Sequence, residues 1–275
     1  MVDEFAFDEE RMSKLERLRG GLSAYDSVAI AFSGGVDSAL LLAVAHDVLG
    51  DRVLAVTGNS ASIPARELEE SRAFCAERGI RHEVVNTREF DIPGFDHNPV
   101  DRCYHCKREL LGCITAAAKE HGITVLAEGS NLDDDGDFRP GRRAVDEMRV
   151  ESPLRDAGLT KADVRAIARH LGLPQWDKPA FACLNTRFAY GDLITPDLLR
   201  MVDGAEEMLR VLGFKQVRVR TSGTTARIEV PPTDIERLAS STMREHIVEL
   251  LEALGYTYVS LDLKGYRTGS MNETL

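Results

Sequence analysis

No apolar run in the 275 residues approaches the length of a membrane span, and the start, Met1 to Glu10, is acidic rather than basic and then apolar. Neither a transmembrane helix nor a secretory signal is expected, and cytoplasmic residence follows as the default. Positive charge is short as well: 34 Lys and Arg stand against 45 Asp and Glu, a formal net charge of -11. Such a surface repels polyanions, so nucleic acid is not an expected partner, although a local basic patch can dominate an acidic chain. The sequence has only five cysteines, and in an unexported chain these argue for reduced thiols, metal ligation or reactivity rather than a disulfide framework. Internal repeats and low-complexity tracts are missing. What remains, 43% hydrophobic and 29% charged residues, suits a globular protein with one large α/β core or two modest ones.

The most informative segment is Ser33-Gly34-Gly35-Val36-Asp37-Ser38, set between an apolar strand (Val28 to Phe32) and an apolar helix start (Ala39 to Ala45). A strand, a tight glycine turn and a helix N-terminus together present backbone N–H groups to an anion, and the usual anion is phosphate. The three spaced glycines of a dinucleotide loop are missing, as is the Gly-Lys-[Ser/Thr] ending of a Walker A loop. Instead the segment resembles the pyrophosphate-binding loop of ATP pyrophosphatases, which split ATP between its α and β phosphates. Gly34 and Gly35 let the chain approach the anion without a Cβ, and Ser33 and Ser38 can donate hydroxyl hydrogen bonds. Asp37, an acceptor when ionised, would orient the loop or reach a Mg²⁺ that bridges the phosphates. The bland alternative is a glycine turn capped by Asp37 and Ser38.

From Gly20-Gly21 onward, strand and helix alternate: 27 to 32 with 38 to 49, 52 to 57 with 63 to 78, 80 to 85 with 103 to 120, then a strand at 123 to 127. Short aliphatic runs between longer amphipathic stretches mean an α/β fold, a parallel sheet with helices on both faces and ligands at the carboxyl ends of the strands. Residues 9 to 20 precede this as a helix, and 160 to 171 follow as another, with Thr160 as cap and Asp163 in its first turn. The loops 86 to 102 and 128 to 148 are long enough to be functional. After Thr195-Pro196 a helix at 197 to 212, strands at 215 to 220 and 225 to 230, helical segments at 232 to 253 and a strand at 256 to 261 predict a small C-terminal α+β domain. The division falls near 188 to 194, giving domains of 1–190 and 191–275.

Cys103-Tyr104-His105-Cys106 sits where a long loop enters a helix, a position that lowers thiol pKa. A redox pair and a zinc site both fit that pattern, and a structural zinc needs four protein ligands. Cys75 reads as a core thiol, and Cys113 lies too far along the helix from Cys106 to share its site. Cys183, in the irregular stretch Trp176 to Leu184, is the remaining candidate. Three cysteines without a fourth suit a [4Fe-4S] cluster with one iron open to exogenous sulfide. The bland alternative is that Cys103 and Cys106 bind nothing and merely start the helix.

Ser33 to Ser38, Asn98 to Lys107, Glu128 to Asp134, Arg139-Pro140-Gly141, Ser152-Pro153-Leu154, Lys178-Pro179 through Arg187, and Ala226 to Val230 together resemble the LarE family along nearly the whole chain. That family comprises ATP-dependent sulfur transferases of nickel-pincer nucleotide cofactor synthesis. The resemblance implies the adenine nucleotide α-hydrolase-like PP-loop fold. It further implies conversion of the carboxylates of pyridinium-3,5-biscarboxylic acid mononucleotide to thiocarboxylates, with release of AMP and pyrophosphate. The first motif and Leu159 to Pro174 are shared with tRNA thiolation enzymes, which stay open as an alternative, as does a zinc-bound structural protein. Some LarE members sacrifice the sulfur of the cysteine matching Cys183. Others use three cysteines, matching Cys103, Cys106 and Cys183, to hold an iron–sulfur cluster. The family's Cys-Leu-x-Ser-Arg becomes Cys183-Leu184-Asn185-Thr186-Arg187, which keeps the hydroxyl.

On this reading Cys183, Asp37 and Lys178 are the candidate catalytic residues, and Lys178 or Arg187 joins Mg²⁺ in neutralising the phosphates. Adenine and ribose are expected near Ala55, Val56, Thr57, Ser62, Gly129 and Asn131, with Thr57 and Asn131 alternatively capping or turn residues. Thr186 would contact phosphate or substrate. The phosphate of the pyridinium mononucleotide needs a second anion site, and Arg218 and Arg220, alternating on one strand face beside Arg227, are assigned to it. The expected cofactors are ATP, Mg²⁺ and a [4Fe-4S] cluster. Sulfide or a sulfide-supplying protein is the expected partner, in a homo-oligomer whose small domain serves substrate binding and assembly.

Overall fold

The structure, a computed structural model, describes residues 5–136, 140–179 and 182–267. Arg139, Ala180 and Phe181, which belong to motifs named above, lie outside the described residues, as do the first four residues. Two compact units make up the chain: 1–60, 65–92 and 101–181 in one, 61–64, 93–100 and 182–275 in the other.

The first unit runs α1 (Glu9–Ser23), β1 (Val28–Ala31), α2 (Val36–Leu49), β2 (Val53–Asn59), α3 (Ala65–Arg78), β3 (Arg81–Asn86), α4 (Arg102–Glu120), β4 (Leu126–Ala127), α5 (Pro140–Glu147), α6 (Pro153–Asp156) and α7 (Lys161–His170). All four strands are parallel, in the order β3-β2-β1-β4. Strand alternation divides the core. Val28, Ile30, Val53 and Ala55 face α1, α2, α3 and α7, whereas Ala29, Leu54 and Val56 face α4 and α5. The ten buried residues of α2 show why that helix carries no polar stripe: the sheet covers one side and α1 with α7 the other. Each Leu or Val so buried contributes roughly 1.5–3 kcal/mol.

The long segment expected as a loop at 128 to 148 contains α5, and the strand expected at 123 to 127 shrinks to two paired residues. Because β1 lies between β2 and β4, the strand order reverses beside it, and the crevice of the sheet opens at the carboxyl ends of β1 and β4.

The α7 helix starts with a reciprocal capping box between Thr160 and Asp163. Asp163 also receives Lys14 at 2.7 Å and Arg11 at 3.2 Å from α1. Burial alone would raise this carboxyl, but the hydrogen bonds from Lys14, Thr160 and Arg11 outweigh it and hold the pKa at about 2. A depressed acid pKa stabilises the fold above the ordinary aspartate pKa and loses that contribution as pH falls towards the folded value. Asp163→Asn is therefore expected to lower stability by about 1–2 kcal/mol at pH 7. Urea denaturation at a series of pH values should show wild type and variant converging between about pH 4 and pH 2.

In the second unit, β5 (Arg218–Ser222) and β6 (Thr225–Glu229) form an antiparallel hairpin, and β7 (Tyr258–Leu261) adds parallel to β6. The helices α8 (Pro196–Val211), α9 (Ile235–Ala239) and α10 (Ser241–Ala253) belong to the same unit. Val219, Ala226 and Ile228 face its core with Leu209 and Leu251. The short segments 61–64 and 93–100 join it through the Ser62 carbonyl, which accepts from Leu184 N at 2.8 Å, and through Asn98, whose Nδ2 donates to the Phe188 and Ala189 carbonyls. No helix among the described residues is long and apolar enough to cross a membrane.

Candidate active site

The loop after β1 delivers the chain into α2 with Gly35 as N-cap. Gly35 has no side chain with which to satisfy the first-turn N–H groups, so they remain available to an anion. Because α2 begins at Val36, Asp37 and Ser38 lie inside the first turn and do not cap it. Ser38 Oγ accepts from Ser33 N at 3.2 Å and donates to the Gly35 carbonyl at 3.2 Å, closing the loop from within. Ser33 is exposed at its mouth, 3.1 Å from Ser38 Oγ. Gly34 adopts φ 72°, and a Cβ there would stand 2.7 Å from Ser71 Oγ.

The neighbouring turn, Glu128 to Asn131, is pressed against the same helix start. Asn131 Nδ2 donates to Asp37 Oδ1 at 3.0 Å, and Lys161 Nζ pairs with Asp37 Oδ2. Asn131 and Lys161 thus hold one oxygen each of Asp37 and fix its carboxylate at the helix start. A Cβ on Gly129 would come within 2.9 Å of Ser38 N and 3.1 Å of the Asp37 carbonyl carbon, and main-chain atoms cannot swing away. Gly129→Ala is expected to displace the helix start and weaken ATP binding by about 10-fold or more, read by calorimetry, since misplacement by about 1 Å is costly at a phosphate site.

The base of that turn is the buried Glu128. It accepts from Ser152 Oγ at 2.9 Å and Ser130 N at 3.1 Å and pairs with Lys107 at 3.4 Å. Burial would raise its carboxyl, but Lys107 and the serine hydrogen bonds together hold it below the usual range.

Thr57 is 4% exposed, and its hydroxyl donates to the Phe32 carbonyl at 2.8 Å while accepting from His82 Nε2 at 2.8 Å. It therefore pins the root of the loop from inside β2 and is neither a cap nor a turn residue. Ser62 is buried in the second unit, where its hydroxyl donates to Asn185 Oδ1 at 3.1 Å. Lys178 lies beside the loop, with Nζ 3.2 Å from the Gly34 carbonyl and 2.6 Å from each of Glu67 and Glu70.

Cys103 is exposed and Cys106 half-buried at the start of α4, three residues apart and hence on one face. Cys75 is buried, and burial pushes its thiol up to about 12, which makes it inert. Cys183 belongs to the second unit and is half-buried. Its carbonyl accepts from Thr186 Oγ1 at 2.8 Å and Arg187 Nη1 at 3.2 Å, so its main chain is firmly held. Among the described residues no group of three or more His, Cys, Asp or Glu side chains is disposed to hold a metal ion.

Arg187, expected near the triphosphate, is 1% exposed and bound bidentately to Glu206 at 2.7 and 3.0 Å. Its remaining nitrogen reaches the Ala182 and Cys183 carbonyls and Thr186 Oγ1. In this arrangement Arg187 is a support for the Cys183 segment. Arg218 and Arg220 share a face of β5, as alternation requires, but differ in access. Arg218 is buried, donates to the Val217 carbonyl at 2.8 Å and stacks over Tyr266. Burial first and repulsion by Arg187 second lower its pKa to about 10. Arg220, held by Glu229, and Arg227, directly across the hairpin, line a cleft of about 270 Å³ with Thr186, Phe188, Ser222 and Thr225. Sequence reasoning missed Lys161 and Glu128. A lysine just after a helix cap was the available signal for the first, and only a buried acid beside Gly129 marked the second.

No family model matches the sequence. An uncharacterised protein of Synechocystis sp. is 44% identical over 263 residues, covering 96% of this chain and 98% of that one. The pyridinium-3,5-bisthiocarboxylic acid mononucleotide synthase of Lactiplantibacillus plantarum is 37% identical over 264 residues, with 96% and 95% covered. One of the subunits of the glutamine-hydrolysing GMP synthase of Halobacterium salinarum is 26% identical over 186 residues, 64% of this chain and 59% of its own. Identity of 37% across nearly the full length of both chains, together with a phosphate-type loop at the crevice of a parallel sheet, shows that the protein belongs to the LarE-type family of pyridinium-3,5-bisthiocarboxylic acid mononucleotide synthases, within the PP-loop superfamily.

Proposed function

We propose that the protein is an ATP-dependent sulfur transferase acting on pyridinium-3,5-biscarboxylic acid mononucleotide. The observation that carries this reading is the uncapped start of α2, closed by Ser33 and Ser38, at the β1–β4 crevice in a chain of this family. A carboxylate is a poor electrophile. Its oxygen attacks the α-phosphorus of ATP and expels pyrophosphate, giving an acyl adenylate. Sulfide then attacks the carbonyl carbon, the C–O bond to AMP breaks with its electron pair on AMP, and the sulfur proton passes to solvent. The loop amides and Ser33 bind the phosphates and Lys178 stabilises the charge that develops on them, a neutralisation to which a bound Mg²⁺ would add. Arg220 and Arg227 suit the phosphate of the mononucleotide.

For the sulfur, the resemblance to three-cysteine members of the family offers the thiols of Cys103, Cys106 and Cys183, soft ligands appropriate to iron and sulfur. A [4Fe-4S] cluster held by these three would supply sulfide, fed by free sulfide or a sulfide-supplying protein. One observation favours a second reading, in which Cys183 gives up its own sulfur: its main chain is clamped while its thiol stays half-exposed, as a nucleophile requires. Mass spectrometry of anaerobically purified protein after reaction separates the two. Many products per chain with Cys183 intact support the first, whereas one sulfur per chain with dehydroalanine at 183 rejects it.

A further inference from the structure

Lys178 follows a single 3-10 turn, Pro174–Asp177, a short segment without sheet pairing to fix it. Its position is nevertheless defined from α7. Arg165 Nη1 donates to the Trp176 carbonyl at 2.6 Å and Nη2 to the Lys178 carbonyl at 2.9 Å, so one planar fork spans the segment that carries Lys178. Phe5 meets the Trp176 ring edge-on at 6.1 Å, and Arg169 lies over that ring at 5.1 Å. From this anchored main chain Lys178 Nζ reaches the Gly34 carbonyl. Lys161, four residues before Arg165 and hence on the same face of α7, meets Asp37 in the first turn of α2. One helix, locked by its capping box and by Lys14, thus sets both charged side chains that flank Gly34 to Ser38.

We propose that Arg165 is a positioning residue for the adenylation step, fixing Lys178 against the phosphate loop through the Trp176 and Lys178 carbonyls. The proposal rests on the reading that Lys178 acts on the phosphates of ATP. Arg165 acts through the main chain of that segment, its two terminal nitrogens each engaged by a carbonyl. A long, flexible lysine can neutralise charge from many places, but only one placement matches the transition state, so loosening its main chain should cost turnover more than binding.

The test uses the full chain and measures substrate-dependent pyrophosphate release against ATP concentration for wild type, Arg165→Gln, Arg165→Lys, Lys178→Met and the Gln/Met double variant. Arg165→Gln is expected to lower kcat about 10- to 100-fold with KM for ATP changed less than about 3-fold. Arg165→Lys, which can reach one carbonyl but not both, should recover part of the loss. In the Lys178→Met background Arg165→Gln should cost nothing further, because the two act as one unit. Losses that multiply across the double variant, an unchanged kcat in Arg165→Gln, or a loss confined to KM would overturn the proposal while leaving Lys178 its role. Wild-type turnover in Lys178→Met would remove the role of Lys178 and the proposal with it. Should Arg165→Gln not fold, Arg165→Lys with Lys178→Met closes the same cycle.

Discussion

Replacing Glu206 with alanine is expected to destabilise the protein by about 3–5 kcal/mol, because it leaves a buried guanidinium without its counter-ion. Arg187 and Glu206 are both fully buried side chains joined at 2.7 and 3.0 Å. Glu206 also accepts from Val219 N at 3.0 Å and Arg210 Nη2 at 3.0 Å, so its two oxygens tie α8 to β5 and to the Cys183 segment. Burial alone would raise its carboxyl, and Arg187 outweighs that by charge and hydrogen bonding, keeping it ionised. The loss should appear as a lower urea midpoint at unchanged slope. Exchanging both partners for apolar residues of similar volume should restore much of it, since the expense lies in the stranded charge more than in the missing attraction. Stability within about 1 kcal/mol of wild type for Glu206→Ala would contradict the assignment of a buried ion pair at this position.

Cys183→Ala is expected to abolish thiocarboxylate formation, by about 10³-fold or more, while sparing adenylation. Activation is assigned to the loop in the first unit, and ATP–pyrophosphate exchange dependent on the carboxylate substrate should persist within a few-fold. On both proposed routes sulfur insertion requires the thiol. The variant therefore separates the two half-reactions, which loss of a shared scaffold would not do. Cys103→Ala and Cys106→Ala then discriminate between sulfur sources. If the three thiols together hold a cluster, each variant loses product and acid-labile sulfide; if Cys183 is consumed, both retain a single turnover. Product formation by Cys183→Ala at the wild-type rate would contradict both routes.

The parts of this arrangement that were legible in the sequence are those fixed by local pattern. Val28 to Ala31 and Val53 to Asn59 alternate between two buried faces, so their aliphatic runs announce a covered parallel sheet. The glycine pair at the end of such a strand then locates the crevice without any tertiary knowledge. Cys75 and the Thr160 cap are legible for the same reason. Pairings over long sequence separation were not. Lys161 reaches Asp37 across 124 positions, and Arg187 meets Glu206 only because the 3-10 turn at Leu184–Arg187 faces α8. Charge type alone made Arg187 a plausible phosphate ligand, whereas burial made it a support. Likewise, alternation placed Arg218 and Arg220 on one face, but cross-strand register brought Arg227 opposite Arg220 while packing buried Arg218. Turn residues mislead in the opposite sense: Pro140-Gly141 begins α5, because proline is well tolerated in a helix's first turn.

The most direct test of the account identifies the nucleotide products. Anaerobic protein incubated with Mg²⁺-ATP, sulfide and pyridinium-3,5-biscarboxylic acid mononucleotide should release AMP and pyrophosphate, one of each per carboxylate converted, as read by chromatography with mass detection. Formation of ADP and inorganic phosphate in step with the thiocarboxylate would show attack at the γ-phosphorus and contradict adenylation at Ser33 to Ser38.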